Sequence, residues 1–204
     1  MVYDEKLKRE IPEDWEIDVI NNVINVKDGT HNSPNPKTAG FPLITSKNLL
    51  SSGLDFKNTN LISEEDFINI NKRSNVETGD ILFSMIGSIG TVYKVEEKDV
   101  NFAIKNLALY KTSNKQLYKN YIYLSLKSYD MKCYMGNVIS GSIQKFIGLT
   151  SLRNMPILLS EDIISLFNKK TYHLFNQIDN FKEQNQQLTK LRDWLLPMLI
   201  VRAK

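Results

Sequence analysis

Cysteine is almost absent: Cys133 is the single one in 204 residues. No disulfide can form within the chain, and such usage fits a reducing cytoplasm with an idle thiol. Long apolar runs are also missing. No window reaches the roughly 18 apolar residues of a membrane span. The N-terminus, Met1-Val2-Tyr3-Asp4-Glu5-Lys6, is charged where a signal peptide is apolar. Neither span nor signal peptide is expected.

Catalytic signatures are missing too. The sequence has no phosphate-binding P-loop, no Gly-x-Gly-x-x-Gly, no Cys-x-x-Cys and no Gly-x-Ser-x-Gly elbow. It has no Asn-Pro-Pro-Tyr-type loop and no glycine-rich cofactor loop of an adenine methyltransferase. Glu64, Glu65 and Asp66 are consecutive, which suits a helix start better than a nuclease metal site. His31 and His173 lie far apart, without metal-ligand spacing. No catalytic and no metal residues are assigned. These absences favour a binding or scaffolding subunit over an enzyme.

What is present is an ordinary globular composition, 42% apolar and 24% charged, with a net charge of +3. That charge is compatible with nucleic acid without singling it out. The most organised stretch is the C-terminal one. Counted in sevens, Phe167, Leu174, Phe181, Leu188 and Leu195 form one column; Ile164, Thr171, Ile178, Asn185, Arg192 and Leu199 form its companion. This heptad seam has no Gly, and its first Pro is Pro197. Polar residues in a seam cost stability but fix register. A helix of about 37 residues spans roughly 55 Å. Two readings fit: a terminal helix folded back on its own domain, or a coiled-coil arm that pairs with another copy or a second domain of the same kind.

Residues 1–158 read as a mixed α/β domain of short strands, helices and loops. Pro12 biases Ile11 toward extended backbone, and Trp15 is the expected first core anchor. A short helix or strand covers Ile17–Val26. Lys27 to Gly40 is the longest turn-rich stretch, with Asp28-Gly29, Pro34 and Pro36, and reads as a loop. Its Lys27, Thr30 and His31 offer donors and acceptors on what is otherwise a plain surface loop. Phe41–Ile44 is a buried strand. Ser46, Lys47 and Asn48 after it suit phosphate and base-edge contacts and equally suit turn capping. Ser63 caps a helix with an acidic first turn that runs to about Arg73. Ile81–Ser84 and Thr91–Val95 form a hairpin around Gly87-Ser88-Ile89-Gly90. Asn101–Tyr110 is a further strand, and Lys119–Met135 has helical character. Gly141-Ser142-Ile143 makes a turn followed by Gln144 and Lys145, with Phe146 expected in the core.

Several of these stretches together resemble the specificity (S) subunit of type I restriction-modification systems. Ile11-Pro12-Glu13-Asp14-Trp15 is similar to that family's Leu-Pro-x-x-Trp opening. Gly79-Asp80-Ile81-Leu82-Phe83-Ser84 with Gly87-Ser88-Ile89-Gly90 resembles its most recurrent internal motif. Gly141-Ser142-Ile143-Gln144-Lys145-Phe146-Ile147 resembles its Gly-Ser/Thr-x-Gln-x-x-Ile segment. Leu191-Arg192-Asp193-Trp194-Leu195-Leu196-Pro197-Met198-Leu199 looks like the end of its helical region. The sequence departs from the family at Met85, where many members carry Arg, and in having one unit where a full S subunit has two.

The resemblance implies an α+β target-recognition domain, residues 1–158, followed by one long coiled-coil spacer helix in 159–204. It implies double-stranded DNA as ligand, with Lys27, Thr30, His31, Ser46, Lys47, Asn48, Ser88, Ser142, Gln144 and Lys145 as the DNA-facing candidates. The expected dimerisation seam is Ile164, Phe167, Leu174, Ile178, Phe181, Asn185, Leu188, Arg192 and Leu195. The expected partners are a modification subunit that uses S-adenosylmethionine for adenine N6-methylation and a restriction subunit that uses ATP and Mg²⁺. This chain itself is expected to be non-catalytic and without cofactor. A half-length S form that homodimerises is one expectation; a truncated product, or an S-like fragment inactive on DNA that serves as a coiled-coil adaptor for modification subunits, is the other.

Overall fold

In the computed structural model, which describes residues 1–5, 7, 9–50 and 53–202, the chain falls into two compact units, Met1–Ser165 and Leu166–Lys204. The first opens with the antiparallel pair β1 (Val2–Asp4) and β2 (Arg9–Ile11), followed by β3 (Glu16–Val19), a single helical turn α1 (Ile20–Val23) and β4 (Val26–Asp28). Then come β5 (Phe41–Ile44), the short pair β6 (Leu49–Leu50) and β7 (Gly53–Leu54), β8 (Asn60–Ile62) and α2 (Glu64–Ser74). The hairpin β9 (Ile81–Ser84) and β10 (Val92–Lys94) precedes β11 (Ala103–Ile104) and β12 (Leu107–Tyr110). Helices α3 (Gln116–Lys127), α4 (Tyr129–Val138) and α5 (Leu149–Arg153), strand β13 (Pro156–Leu159) and the long α6 (Glu161–Arg202) complete the order.

A four-stranded sheet, β10-β9-β12-β4, is central. Alternation along a strand sends neighbours to opposite faces. Ile81, Phe83, Ala108 and Tyr110 enter one core with Ile20, Ile122, Ile147, Leu152 and Ile164. Leu82, Leu107 and Leu109 enter another with Tyr93, Phe102 and Ile104. Burial on both faces explains why β9 and β12 read as continuous apolar runs. A second sheet, β11-β5-β8, carries α2, whose Phe67 stacks on Phe41 at 4.1 Å between centroids. α2 starts where Ser63 accepts the Asp66 amide, as the acidic first turn predicts. β13 returns to pair with β3 and leads into α6.

Local expectations are revised at several points. Trp15 is only half-buried; Ile11 and Ile20 are the buried residues around it. The expected strand Asn101–Tyr110 is broken at Lys105-Asn106, so that β11 and β12 belong to different sheets. The expected helix Lys119–Met135 is two helices, because Ser128 is extended and caps α4 through the Met131 amide. Lys27 and Asp28 lie in a strand of the central sheet, not in a loop. Gly29 there is a close crossing of chains: a Cβ would run into the Ile104 carbonyl.

The α6 helix has 42 residues, about 63 Å at 1.5 Å per residue, and passes through Pro197. Proline in a helix interior removes one backbone hydrogen bond. Leu174, Phe181 and Leu188 on the seam are each about 60% exposed. Among the described residues, no helix is long and apolar enough to cross a membrane.

Candidate nucleic-acid interface

The break at Lys105-Asn106 gathers the first part of the site. Thr30 bridges to Lys105, the Lys105 amide donates to the Ile44 carbonyl at 2.8 Å, and the Asn106 amide donates to the Thr30 carbonyl at 3.1 Å. Asn106 adopts φ 53°, a left-handed conformation that Asn tolerates better than most residues. The break therefore joins the 29–33 loop after β4 to the end of β5, and β5 leads straight into 46–48.

His31 sits between two side-chain oxygens. Its Nε2 lies 2.8 Å from Asp28 Oδ2 and its Nδ1 lies 2.8 Å from Asn106 Oδ1. Asp28 is buried, and the Arg73 guanidinium from the last turn of α2 pairs with its other oxygen. A buried carboxylate needs such partners to offset its desolvation. The rest of the guanidinium stays exposed, beside a shallow cleft of about 420 Å³ lined also by Thr30, Asn32 and Asn69. Lys105 donates to the Ser33 hydroxyl. Lys27, one residue before Asp28, points to the other strand face, where its charge acts on Glu77.

The second part is built on the β9–β10 hairpin. A Cβ on Gly87 would stand 3.4 Å from the Ser46 hydroxyl, so the 46–48 turn and the 87–90 bend touch. Ser84 is buried and donates to the Ile86 carbonyl at 3.0 Å. Ile86 in turn bridges to Phe146, and the Ile147 amide donates to the Met85 carbonyl at 3.0 Å. The Gly141–Lys145 segment is thereby held against the same hairpin.

The sequence candidates divide accordingly. Ser46, Lys47, Ser88, Ser142, Gln144 and Lys145 lie in the touching loops; Lys47, Ser88, Ser142, Gln144 and Lys145 are exposed. Thr30 and His31 lie in the adjoining 28–33 segment. Asn48 does not present its side chain: it is 3% exposed, accepts from the Thr45 amide and hydroxyl, and donates to the Asp55 and Asn58 carbonyls. It holds its own turn, the capping alternative for that segment. Phe146 is 43% exposed, and Ile147 is the core residue of that stretch. Met85 is buried, as an apolar replacement there permits. In the seam, Ile164 packs into the core of the first unit and is unavailable to a partner helix. Arg73 and Asn106 are the members of the site with the weakest sequence signal; a Lys-Asn pair interrupting an apolar strand was the trace of the latter.

No protein-family model matches the chain. It is 26% identical over 208 residues to the specificity subunit of the type I restriction enzyme MjaIX of Methanocaldococcus jannaschii, an alignment that covers 98% of the chain and 46% of that protein. It is 26% identical over 191 residues to the EcoBI specificity subunit of Escherichia coli, covering 90% of the chain and 40% of that protein. Among solved structures, the type I restriction-modification S subunit from M. genitalium superposes with a TM-score of 0.55 at 15% identity, over 90% of this chain and 46% of that one. A chain from a type I restriction-modification complex superposes with a TM-score of 0.51 at 16% identity, over 92% and 46%. The chain thus spans about half the length of the curated relatives it matches.

Proposed function

From the premise that this chain is a relative of type I restriction specificity subunits and has their fold, we propose that it is the DNA-recognition component of such a system. Residues 1–158 read one half of a bipartite duplex site, and the helix that follows sets the distance to the other half. The observation that carries the reading is the convergence of the 28–33, 46–48, 87–90 and 141–145 segments through the contacts of Ser46, Lys105 and Phe146. Exposed Gln suits bidentate contact with adenine, and Lys suits guanine or phosphate. A net charge of only +3 makes tight binding a property of the assembled complex.

The exposed seam supports pairing of two copies. A two-fold pair would bury Leu174, Ile178, Phe181, Leu188 and Leu195 of both chains isologously. Two identical recognition units at fixed spacing read an interrupted palindrome. In this reading the chain performs no chemistry. A modification subunit supplies S-adenosylmethionine and adenine N6-methylation, and a restriction subunit supplies ATP- and Mg²⁺-dependent cleavage.

The test is the adenine methylation map of DNA exposed to this chain with its modification subunit. An interrupted palindrome is the expected result. An asymmetric bipartite site would replace the homodimer by pairing with a different chain. Complex formation without methylation would replace DNA recognition by the adaptor role.

A further inference from the structure

Ile143 is fully exposed, the only large apolar side chain at 100% among those described. It stands at the tip of a small ribbon. Ser140 and Phe146 exchange both backbone hydrogen bonds at 2.9 Å, closing the segment between them. Gly141 has φ 97°, and a Cβ there would run into the Gln144 carbonyl, so the turn is tight and requires glycine. At its base the ribbon is fixed by Ile147, which is 0% exposed and bonded to Met85. A tight turn closed at its base therefore projects one branched apolar side chain among Ser142, Gln144 and Lys145, all exposed.

Scattered exposed apolar residues are common on protein surfaces. This one differs in its setting, at the apex of a segment whose other side chains are polar or cationic, held at Met85 and Ile86 to the hairpin whose bend touches Ser46. The major groove of duplex DNA is about 12 Å wide and admits a two-stranded ribbon. Its one apolar feature is the 5-methyl group of thymine. Gln144, next in sequence, suits the N6 and N7 edge of adenine. Resting on the DNA-recognition reading above, we infer that the Gly141–Lys145 tip reads A·T pairs, with Ile143 packed on a thymine methyl group and Gln144 on adenine of the same or neighbouring pair.

The experiment uses the chain in complex with its modification subunit and the duplex defined by its methylation map. Each thymine of the half-site is replaced in turn by uracil, which removes only the methyl group. At one position the wild-type rate should fall about four-fold, the weight of one buried methyl. Ile143→Ala should methylate thymine and uracil duplexes equally at that position and accept other pairs there. Its circular dichroism and its retention of the modification subunit should be unchanged, because the side chain has no intramolecular partner to lose. An Ile143→Ala map identical to wild type, with thymine still preferred over uracil, would overturn the inference. So would loss of the modification subunit from that variant, which would make Ile143 a protein contact. A wild-type complex that methylates no defined sequence would instead remove the recognition reading on which this rests.

Discussion

Lys111 and Asp80 form a buried ion pair, Nζ to Oδ2 at 2.6 Å, with the Asp80 side chain 0% and the Lys111 side chain 8% exposed. The same ammonium reaches Glu77 Oε2 at 2.8 Å and the Asn75 carbonyl at 3.1 Å. Asp80 also accepts the Glu77 and Ser113 amides. The Gly79-Asp80 pair that precedes β9 is thus a junction. It fixes the start of β9, the strand that leads into the 87–90 bend.

Lys111→Met should destabilise the protein by about 3–5 kcal/mol, because it strands a buried carboxylate without its counter-charge. Urea denaturation of the two proteins measures the difference. A loss under 1 kcal/mol would mean that water reaches Asp80.

Glu77 has its carboxyl held below the ordinary carboxylate range, first by the hydrogen bond from Lys111 and then by that from Ser113. A group with a depressed folded pKa contributes stability above its unfolded value of about 4.5, and that stability is lost as pH falls through the folded value. Glu77→Gln should therefore be less stable than wild type at pH 7 and approach it as the pH falls below the unfolded value and through the depressed folded one. Thermal denaturation from pH 7 to pH 3 gives the two curves; parallel curves would refute the assignment.

Asn48 and Lys47 are neighbours with opposite expected phenotypes. Asn48→Ala removes the buried amide that ties Thr45 to the Asp55 and Asn58 carbonyls and should cost about 1–3 kcal/mol. Lys47→Ala, at an exposed position, should change stability by less than about 0.5 kcal/mol while weakening DNA binding and flattening its salt dependence. Melting curves with binding titrations at two salt concentrations separate the pair. Equal melting losses in both variants would contradict the burial pattern.

Leu188 is 61% exposed on the seam of α6. On the proposed pairing of two copies, Leu188→Glu should convert the dimer to a monomer by placing charge in the seam. Multi-angle light scattering gives the mass directly, and a mutant that remains dimeric would move the contact to another face.

Much of the fold was legible because its signals are local. Ser63 with the acids after it marks a helix start within four residues. The short apolar runs at Ile81–Ser84 and Leu107–Tyr110 announce strands buried on both faces, and the heptad of α6 repeats its pattern through Leu195. The site was half legible for the same reason. Loops that carry Lys47, Ser88 and Gln144 are recognisable as loops, yet nothing local says which of their polar side chains point outward. Asn48 and Lys47 are both polar residues in one turn; only the carbonyls of Asp55 and Asn58 make the first structural.

The sequence by itself determined the elements: a mixed domain of short strands and helices, then one long helix with an apolar column. Tertiary structure alone decided three things. It paired Arg73 with Asp28 across 45 residues and His31 with Asn106 across 75, withdrew Ile164 from the seam into the core, and brought Ser46 against Gly87. Capping and periodicity are settled within a turn or two of chain. Burial of a charge, or exposure of an isoleucine, depends on partners that chain closure places beside it, and a linear pattern carries no record of them.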